Sequence, residues 1–556
     1  KIDAPYLFND TSNGNAWYRL YFQVKTSDES YYIYTAESTA ASLDEDSGVD
    51  FILAEENPVL SPDLGKWDDK QVMHPWVVKD AGMYYMWYSG WATGMVQKLG
   101  FAYSYDGYEW TKGRGNPIME PATGYAEPSV IFEDGTWQMW CLARDEGSYK
   151  INYLTATSPF EFSAIQAAIG VAYEGDTIKV WPGTYRENLM VNKSLTLVGA
   201  GSDSAVIEAP DVATMPRSSC TLRDVPFKAV IQVGNGSSHG VTANISGFTI
   251  DGRKQYYPPS GPDGARFTGI LYWAADGSIS SNEIINFGDL AQGQENGWGV
   301  FVLAGSKVTI SNNYLSDWGK GAIVVDGDEI EYFWGPTPPV QGDAIATITG
   351  NTIIGAGNID TTAQNGIQIS RGATGIITMN SIRNIGFSPE TYSAAGILVY
   401  ASDGVRVVDN DLANTETGVY VQDQNTSGGD NGNLVSANTI HGSKYGVQVL
   451  RSTNTEISDN TISESSLHGV ALSCSSINTL VRHNVIEASY GNGIYIGNMP
   501  GDNNSTPEKP TIGTVITGNS ITGNNTGEND NWGGIVVDSS VAGNGVTANL
   551  NNVFDN

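Results

Sequence analysis

Acidic side chains close to basic ones are the residues of this chain best suited to acid–base chemistry. Glycoside hydrolysis needs two carboxylates that flank the scissile bond, and β-elimination needs a base and a neutralising cation. Asp317 and Asp326 supply two such carboxylates, and we take them as catalytic candidates. Other polar residues of the same region could also supply the carboxylate, base or cation that these reactions need. They are Asp251, Asp263, Arg266, Asp289, Glu295, Lys320, Asp328 and Glu329.

Aromatic residues in the same region could bind a sugar, because the C–H groups of a sugar ring pack on a flat aromatic face. We take four of them, with two cations, as candidate substrate-binding residues: Trp298, Trp318, Tyr332, Trp334, Lys320 and Arg266. The alternative is that these aromatic rings only fix long loops to the body of the protein.

A short acidic segment, Asp326-Gly-Asp328-Glu329, offers oxygen ligands of the kind that calcium prefers. We take Asp326 and Asp328 as candidate metal ligands and calcium as the candidate cofactor. The segment lacks the ligand spacing of an EF-hand, so a solvated turn is the alternative.

Two classes of short strand alternate between residues 269 and 537, and they must position these side chains. One class opens with glycine, as in Gly446-Val-Gln-Val, and the other centres on asparagine, as in Val405-Arg-Val-Val-Asp-Asn410-Asp-Leu. Each strand alternates apolar and polar residues, and it is too short to bury its apolar face except against its neighbours in a stack. The alternation therefore predicts a stacked β solenoid.

The central asparagines lie where a side-chain amide can bind its copies in adjacent coils. The spacings of 22 residues from Asn438 to Asn460 and 24 from Asn460 to Asn484 set the length of one coil without insertions. We expect an asparagine ladder formed by Asn282, Asn313, Asn351, Asn380, Asn410, Asn438, Asn460, Asn484 and Asn519.

Longer spacings locate insertions, which leave the solenoid at two edges and could wall a groove along its axis. The insertions after the asparagine strands are 252–268, 287–298, 354–365, 384–395 and 522–533, and those after the glycine strands are 326–345, 423–433 and 498–513.

Residues 1–160 follow another rhythm, in which a unit rich in Trp and Tyr occurs three times. The units open at Ala4-Pro5, His74-Pro75 and Glu127-Pro128, and they contain runs such as Met83-Tyr-Tyr-Met-Trp-Tyr. Four strands per unit, joined by Asp-Gly turns, are typical of a propeller blade. The pattern resembles the five-bladed β-propeller glycosidases and phosphorylases of the arabinanase, levansucrase and mannoside phosphorylase kind.

This resemblance implies that acidic residues of the units face a central channel. By it, Glu127 is a proton donor and Asp68 or Asp69 flanks the channel, so Glu127 and Asp69 join the catalytic candidates. The enzymes of this kind have five blades and this chain shows three. Either further blades precede Lys1, or the unit is a non-catalytic remnant.

The next segment combines a short helical patch, Phe162–Ile169, with Gly175-Asp-Thr-Ile-Lys-Val-Trp-Pro-Gly-Thr-Tyr185. It resembles the start of right-handed parallel β-helix proteins, including the pectinesterase-like and NosD-like groups, in which a helix caps the first coil. We therefore expect propeller-like blades in 1–160, a capping helix in 161–170 and a β-helix in 171–556. Lys444 and Arg451, one coil before His468, are loosely similar to the Lys and Arg pair of chondroitinase-type lyases.

Composition excludes several classes of protein. A net charge of −32 with only 29 Lys and Arg residues argues against nucleic-acid binding. Cys141, Cys220 and Cys474 are too few and too far apart for a disulfide scaffold or a zinc site. No apolar run is long enough to span a membrane. The last asparagine strand has no capping element, so we expect the natural protein to be longer.

We thus expect an all-β protein that is exported or displayed on the cell surface and engages polysaccharide, either as a glycoside hydrolase or polysaccharide lyase or without catalysis. The alternative is a structural or adhesive protein of a cell envelope or filament, which would self-assemble. A viral tailspike, which would usually form a trimer, is a third reading.

Overall fold

The structure is a computed structural model that describes most of the chain as two compact units, Lys1–Val171 and Ala172–Asn556. Within these residues no helix is long and apolar enough to cross a membrane. The described residues are 2–10, 17–38, 50–80, 83–113, 116–118, 125–133, 136–145, 148–156, 165–180, 182–222, 225–235, 240–255, 265–288, 296–327, 344–388, 393–423, 431–473, 475–497, 511–527, 529, 532–538 and 545–556.

The described strands of the first unit form two sheets, one of eight strands and one of three. The larger sheet is made of two antiparallel meanders joined by a parallel pair between Tyr31 and Gln71, and the smaller sheet is a third meander. The three meanders correspond in sequence to the three predicted repeats. The fourth predicted strand of the third repeat, which begins at Pro159, lies outside the described residues. Closure of these meanders into a propeller stays a prediction. The strands are β1 (Ile2–Asp10), β2 (Trp17–Lys25), β3 (Tyr31–Ser38) and β4 (Phe51–Leu53); β5 (Gln71–Asp80), β6 (Met83–Trp91), β7 (Lys98–Ser104) and β8 (Thr111–Lys112); and β9 (Tyr125–Glu133), β10 (Thr136–Asp145) and β11 (Ser148–Ala156).

Aromatic rings hold the meanders together. Tyr6 of β1 packs on Trp76 of β5 with ring centroids 4.5 Å apart, which joins the first meander to the second. Tyr85 and Trp87 of β6 both contact Trp137 of β10, at 5.8 and 5.6 Å, which joins the second to the third. The Trp and Tyr residues that dominate this part of the sequence are therefore its core.

The described residues of this unit also contain a short helix, α1 (Ile165–Val171), which overlaps the patch that the sequence predicts as helical. Its predicted role as the cap of a β-helix stays a prediction.

The second unit is a parallel β-helix, as predicted, with three parallel sheets along its sides. Sheet I contains the glycine strands and, before them, two strands without glycine. Its strands are Leu189–Val191, Val225–Val233, Arg266–Tyr272, Trp298–Leu303, Gly321–Asp326, Asn365–Ser370, Ala395–Tyr400, Thr417–Gln422, Tyr445–Leu450, His468–Ser473, Ile494–Ile496 and Ile535–Val537, with Thr221–Leu222 paired to its second strand.

Sheet II contains Thr177–Val180, Leu195–Gly199, Val241–Ser246, Ala275–Ser280, Lys307–Ser311, Ile345–Thr349, Thr374–Thr378, Arg406–Val408, Leu434–Ser436, Glu456–Ser458, Leu480–Arg482, Val515–Thr517 and Thr547–Asn549. Sheet III contains Gly183–Arg186, Ala205–Glu208, Thr249–Asp251, Glu283–Phe287, Tyr314–Trp318, Thr352–Ile359, Ser381–Phe387, Asp411–Thr415, Thr439–His441, Thr461–Ser463, Val485–Glu487, Ser520–Thr522 and Asn552–Phe554.

The asparagine ladder is confirmed at the corner between sheets II and III. In the middle of the row, Asn410 Nδ2 donates to Asn438 Oδ1 at 2.9 Å, and Asn438 Nδ2 donates to Asn460 Oδ1 at 2.9 Å. The backbone N–H of each ladder residue donates to the same oxygen, and its Nδ2 also reaches a carbonyl of the previous coil, as Asn438 does at Val407 O. All nine predicted asparagines take part, and Asn551 extends the row.

Each predicted asparagine strand is in fact two strands, one in sheet II and one in sheet III. The residue before the ladder asparagine has a left-handed backbone, with φ between 52° and 67°, which ends the first strand and turns the chain. The residues at this turn are Ser281, Asn312, Gly350, Met379, Asp409, Ala437, Asp459, His483, Gly518 and Leu550.

Close packing explains the glycine that opens the strands of sheet I. A Cβ on Gly446 would lie 2.5 Å from the carbonyl oxygen of Gly469 in the next coil and 2.4 Å from Cγ2 of Ile462 in sheet III. A Cβ on Gly418 meets the corresponding atoms of Gly446 and Ile440 at 2.4 and 2.6 Å. The corner between sheets III and I therefore leaves no room for a side chain at this position.

Removal of one ladder amide should destabilise the β-helix unit strongly. In Asn438→Ala, the N–H groups of Asn410 lose their acceptor and Val407 O loses a donor, all inside the protein. We expect a loss of about 2–4 kcal/mol in the free energy of unfolding, measured by denaturant titration. Thr439→Ala, at the neighbouring exposed position, is the control and should change stability by less than about 0.5 kcal/mol. Equal effects of the two substitutions would contradict the ladder as a stabilising element.

Alanine in the glycine column should also be costly. Gly446→Ala must displace a backbone carbonyl and an isoleucine methyl group, and we expect a loss of about 1–3 kcal/mol in the free energy of unfolding. The control is Gly533→Ala, where the nearest atom to the new Cβ is Val536 Cγ2 at 4.0 Å. A Gly446→Ala protein with the unfolding midpoint of the wild type would show that the corner can expand.

Candidate functional site

A concave surface of the described β-helix lies at the corner between sheets III and I. Two strands of sheet III, Thr352–Ile359 and Ser381–Phe387, run past the point where their neighbours end. They stay paired there, with Gly357 opposite Ile385 and the Ser388 N–H donating to Ile359 O at 2.8 Å. This two-stranded projection stands beside coils whose corners are short. The result is a step, and we call the space beside it the step groove.

The floor of the step groove is a column of corner residues from successive coils. Glu416, Lys444 and Ser466 line it, each one residue beyond a buried hydroxyl group. Two of these hydroxyl groups, on Thr415 and Ser443, are 2.8 Å apart inside the protein. In each of these coils the hydroxyl group is buried and the side chain that follows it is at least partly exposed.

The step groove has a volume of about 560 Å³, within the range of ligand-binding clefts. Its lining combines polar and apolar groups in similar proportion, with one aromatic ring, Phe387, on the projection. Glu416 Oε2 accepts a hydrogen bond from the Ala394 N–H at 3.0 Å, which fixes the carboxylate. Lys444 Nζ lies 5.6 Å from the centre of the Tyr445 ring. The lining residues are Gly357, Asn358, Asn384, Ile385, Gly386, Phe387, Ser388, Asn414, Thr415, Glu416, Gly442, Lys444 and Ser466.

The two catalytic candidates of the β-helix lie apart from this groove and in different surroundings. Asp317 is exposed at the corner between sheets III and I, with φ of 54°, and its carboxylate lies 3.9 Å from Lys254 Nζ. Asp326 is fully buried at the end of a sheet I strand. Arg371 of the next coil donates to both of its oxygens, with Nε 3.0 Å from Oδ1, and Ser370 Oγ lies 3.1 Å from Oδ2. The structure does not bring these two aspartates together.

Two of the substrate-binding candidates pack against other side chains, one inside the β-helix and the other in an apolar cluster on the outer face of sheet I. Trp318 points into the β-helix and is 2% exposed. Trp298 packs in an apolar cluster on the outer face of sheet I with Phe301, whose ring centroid is 6.0 Å away. Both rings therefore contribute to packing.

The two candidate cations bind backbone carbonyl groups. Arg266 Nη1 donates to Leu222 O at 2.6 Å and to Val225 O at 3.0 Å, which fixes the short strand beside sheet I. Lys320 Nζ donates to Ala363 O at 2.9 Å. Each joins neighbouring segments of the solenoid.

Tyr332, Trp334 and Asp328 lie outside the described residues. Within the described part of the chain, no group of three or more His, Cys, Asp or Glu side chains could hold a metal ion. Asp326, the other candidate calcium ligand, has both oxygens engaged by Arg371 and Ser370.

The lysine and arginine of the lyase-like pair are at opposite ends of the strand Tyr445–Leu450. Lys444 lies on the floor of the step groove, whereas Arg451 forms an ion pair with Asp423, with Nη2 3.0 Å from Oδ2. His468 is buried, and burial lowers its pKa to about 4. It is therefore neutral at pH 7, with Nδ1 accepting a hydrogen bond from the Asn492 N–H at 3.1 Å.

In the first unit, the residues before the three repeated prolines have equivalent strained backbones. Ala4, His74 and Glu127 have φ of 48°, 51° and 52°, uncommon for residues with a side chain. The strand register slips beside each of them, as in a β-bulge. A bulge re-aims a side chain, so the three repeats position these residues in the same way.

Polar side chains of the preceding meander hold two of these bulges. Gln23 Oε1 accepts a hydrogen bond from the His74 N–H at 3.0 Å, and Ser89 Oγ accepts one from the Glu127 N–H at 2.9 Å. Burial lowers the pKa of His74, while the negative charges of Glu127 and Asp3 act in the opposite direction. Glu127 and Asp3 are therefore close enough to His74 to act on its charge.

Asp68 and Asp69, the other acidic candidates of the first unit, are buried and half-buried. Asp68 is fully buried, and Lys112 Nζ lies 2.6 Å from its Oδ2. Its Oδ1 and the Oδ1 of Asp69 are buried without a hydrogen-bond partner. Glu127, by contrast, is exposed.

Sequence reasoning named Lys444 but missed Glu416, Asn358 and Phe387 as its neighbours. The available signal was the position of two insertions, 354–365 and 384–395, because the projection begins where they begin. In the first unit, sequence reasoning missed Asp3. This residue directly precedes Ala4, which is the residue before the first repeated proline.

Comparison with known proteins gives a family for the second unit. The sequence profile described as "right handed beta helix region" matches residues 218–429 and 395–556. An uncharacterized protein of Mycobacterium tuberculosis (strain ATCC 25618 / H37Rv) is 31% identical over 108 residues, which are 18% of this chain and 35% of that protein. The chain thus spans about a third of the length of this curated relative.

Two solved structures are similar at low identity. The periplasmic alginate epimerase AlgG is 16% identical, with a TM-score of 0.44 over 70% of this chain and 83% of that chain. The Azotobacter vinelandii mannuronan C-5 epimerase AlgE4 A-module is 15% identical, with a TM-score of 0.39 over 70% of this chain and 91% of that chain. Similarity at this level says nothing about activity. Since the profile covers more than half of the chain, the protein belongs to the right-handed β-helix region family.

Proposed function

We propose that the β-helix unit binds a polysaccharide in the step groove. The observation that carries this proposal is the composition of the groove: amide, hydroxyl, carboxylate and ammonium groups line about 560 Å³ of space beside one aromatic ring. A sugar presents hydroxyl groups around its edge and C–H groups on its face. The side chains of Asn358, Glu416 and Lys444 can bind the former, and the ring of Phe387 can pack on the latter.

The direction of the groove favours a chain over a single sugar. Glu416, Lys444 and Ser466 belong to successive coils, and coils of a parallel β-helix are about 4.8 Å apart. This repeat is close to the length of one sugar residue in an extended polysaccharide. A chain lying along the axis would therefore meet a new polar side chain with each residue.

The lining supports binding more directly than cleavage. Among the described lining residues, Glu416 is the one carboxylate, and glycoside hydrolysis needs two. Hydrolase or lyase activity, with Asp317, Asp326, Glu127 or Asp69 as the catalytic groups, stays a separate prediction. So do export to the cell surface and a second sugar-facing site in the first unit.

Substitution of the groove cation should weaken glycan binding without unfolding the protein. Wild type and Lys444→Ala are compared on a panel of neutral and acidic polysaccharides by isothermal titration calorimetry, with reducing-end and 235 nm absorbance assays to detect cleavage. For a glycan that the wild type binds, loss of a charge-assisted hydrogen bond should raise Kd about tenfold. The control is Lys307→Ala, an exposed lysine on sheet II, which should leave Kd unchanged.

Two results would contradict the proposal. One is a wild-type protein that binds no glycan of the panel, in which case assembly into particles, followed by light scattering, would support the structural alternative. The other is an equal effect of Lys444→Ala and Lys307→Ala, which would place binding elsewhere.

A further inference from the structure

The corner column that forms the floor of the step groove continues for one more coil, to Tyr490. The Ser466 N–H donates to Ser443 O at 2.8 Å, and the Tyr490 N–H donates to Ser465 O at 2.7 Å. The same bond therefore repeats from coil to coil at this corner. It places Tyr490 next to Ser466 in the direction away from Lys444.

Tyr490 forms a pair with a second aromatic residue, Trp532, on the loop of the following coil. The ring centroids are 5.6 Å apart and the planes meet at 65°, an edge-to-face arrangement. Half of the Tyr490 surface is exposed, since its accessibility is 50%. The pair thus presents aromatic surface to solvent at the end of the corner column.

The loop is built to hold this pair in place. Gly527 lies against both rings, and a Cβ there would be 2.8 Å from Trp532 Cζ3 and 2.8 Å from Tyr490 Cζ. The Gly527 N–H donates to Tyr490 O at 2.9 Å, and the Trp532 N–H donates to Asn529 O at 2.9 Å. Asn525 Oδ1 accepts from the Asn529 N–H at 2.9 Å. An exposed ring is therefore held by specific backbone bonds and by close contact with Gly527.

We propose that Tyr490 and Trp532 form an aromatic subsite that stacks on a pyranose ring of a polysaccharide lying along the corner column. This inference rests on the proposed function, and it adds a second point of recognition. A fixed ring loses little conformational freedom when a ligand packs on it, so stacking is favourable even on an exposed surface. The loop that carries Trp532 belongs to the predicted insertion 522–533.

The spacing of the coils determines which ligands reach this subsite. Lys444 and Tyr490 are two coils apart, which is about 10 Å along the axis. A disaccharide bound at Lys444 ends before Tyr490, whereas a longer chain passes over Ser466 and reaches the ring. The subsite should therefore discriminate by chain length.

The test compares oligosaccharides of two and six residues, prepared from a glycan that the wild type binds. Tyr490→Leu keeps apolar volume against Gly527 and Trp532 but removes the flat ring, and it should raise Kd for the six-residue ligand about tenfold in calorimetry. Kd for the two-residue ligand should stay unchanged. Tyr490→Phe, which keeps the ring, should bind both ligands as the wild type does. Tyr314→Ala is the control for loss of an exposed ring, since Tyr314 is 41% exposed on sheet III.

The results separate failure of this inference from failure of the proposed function. If Lys444→Ala weakens binding but Tyr490→Leu does not change Kd for six residues, the groove binds glycan and the aromatic subsite is wrong. If Tyr490→Leu and Tyr490→Phe weaken both ligands equally, the residue acts through the fold and the subsite is again wrong. If the wild type binds no glycan, both proposals fail.

Discussion

A coil of this β-helix can bury its polar corner only if the next coil accepts its hydrogen bonds. The ladder shows how this constraint is met. From Asn313 to Asn519, each asparagine oxygen receives two N–H groups from the coil before it, and each amide nitrogen donates to the coil after it and to a carbonyl behind it. A buried amide without these partners would cost about 1–3 kcal/mol. Repetition in register is therefore the condition for burial, and one asparagine cannot form such a corner alone.

The corner between sheets III and I meets the same condition in part, with different groups. Hydroxyl groups of Thr415 and Ser443 bind each other at the corner between sheets III and I, where Asn524 and Asn556 form a short second ladder. Glycine is required beside this corner because the next coil and an isoleucine of sheet III occupy the space of a Cβ. The corner column, from Glu416 to Tyr490, stands directly outside these buried groups. The proposed recognition surface thus derives its order from the interior.

Much of the fold could be predicted from sequence because the repeats encode the same contact many times. The glycine and asparagine classes, and the ladder between coils, follow from spacing alone. The break of each asparagine strand could not be predicted, since residues as different as Met379, Ala437, His483 and Leu550 occupy the left-handed turn. The residue type does not set this conformation. Hydrogen bonds to the adjacent coil fix it, such as that from the Met379 N–H to Asp409 O.

The candidate site was harder to predict because it depends on the lengths of neighbouring corners. Glu416 and Lys444 are 28 residues apart in sequence, and only the register of the coils makes them neighbours. Asp317 and Asp326 are closer in sequence, but one lies at a surface corner and the other is buried with Arg371. Separation along the chain is thus a poor guide to proximity in a solenoid.

The step itself consists of two strands that continue for a few residues beyond their sheet. Their extra length changes nothing in the ladder or in the glycine column, because both lie inside the coil. A lineage of such proteins could lengthen or shorten one corner at a time and obtain a differently shaped cleft on an unchanged scaffold. Ligand preference could then diverge quickly between relatives whose cores remain superimposable.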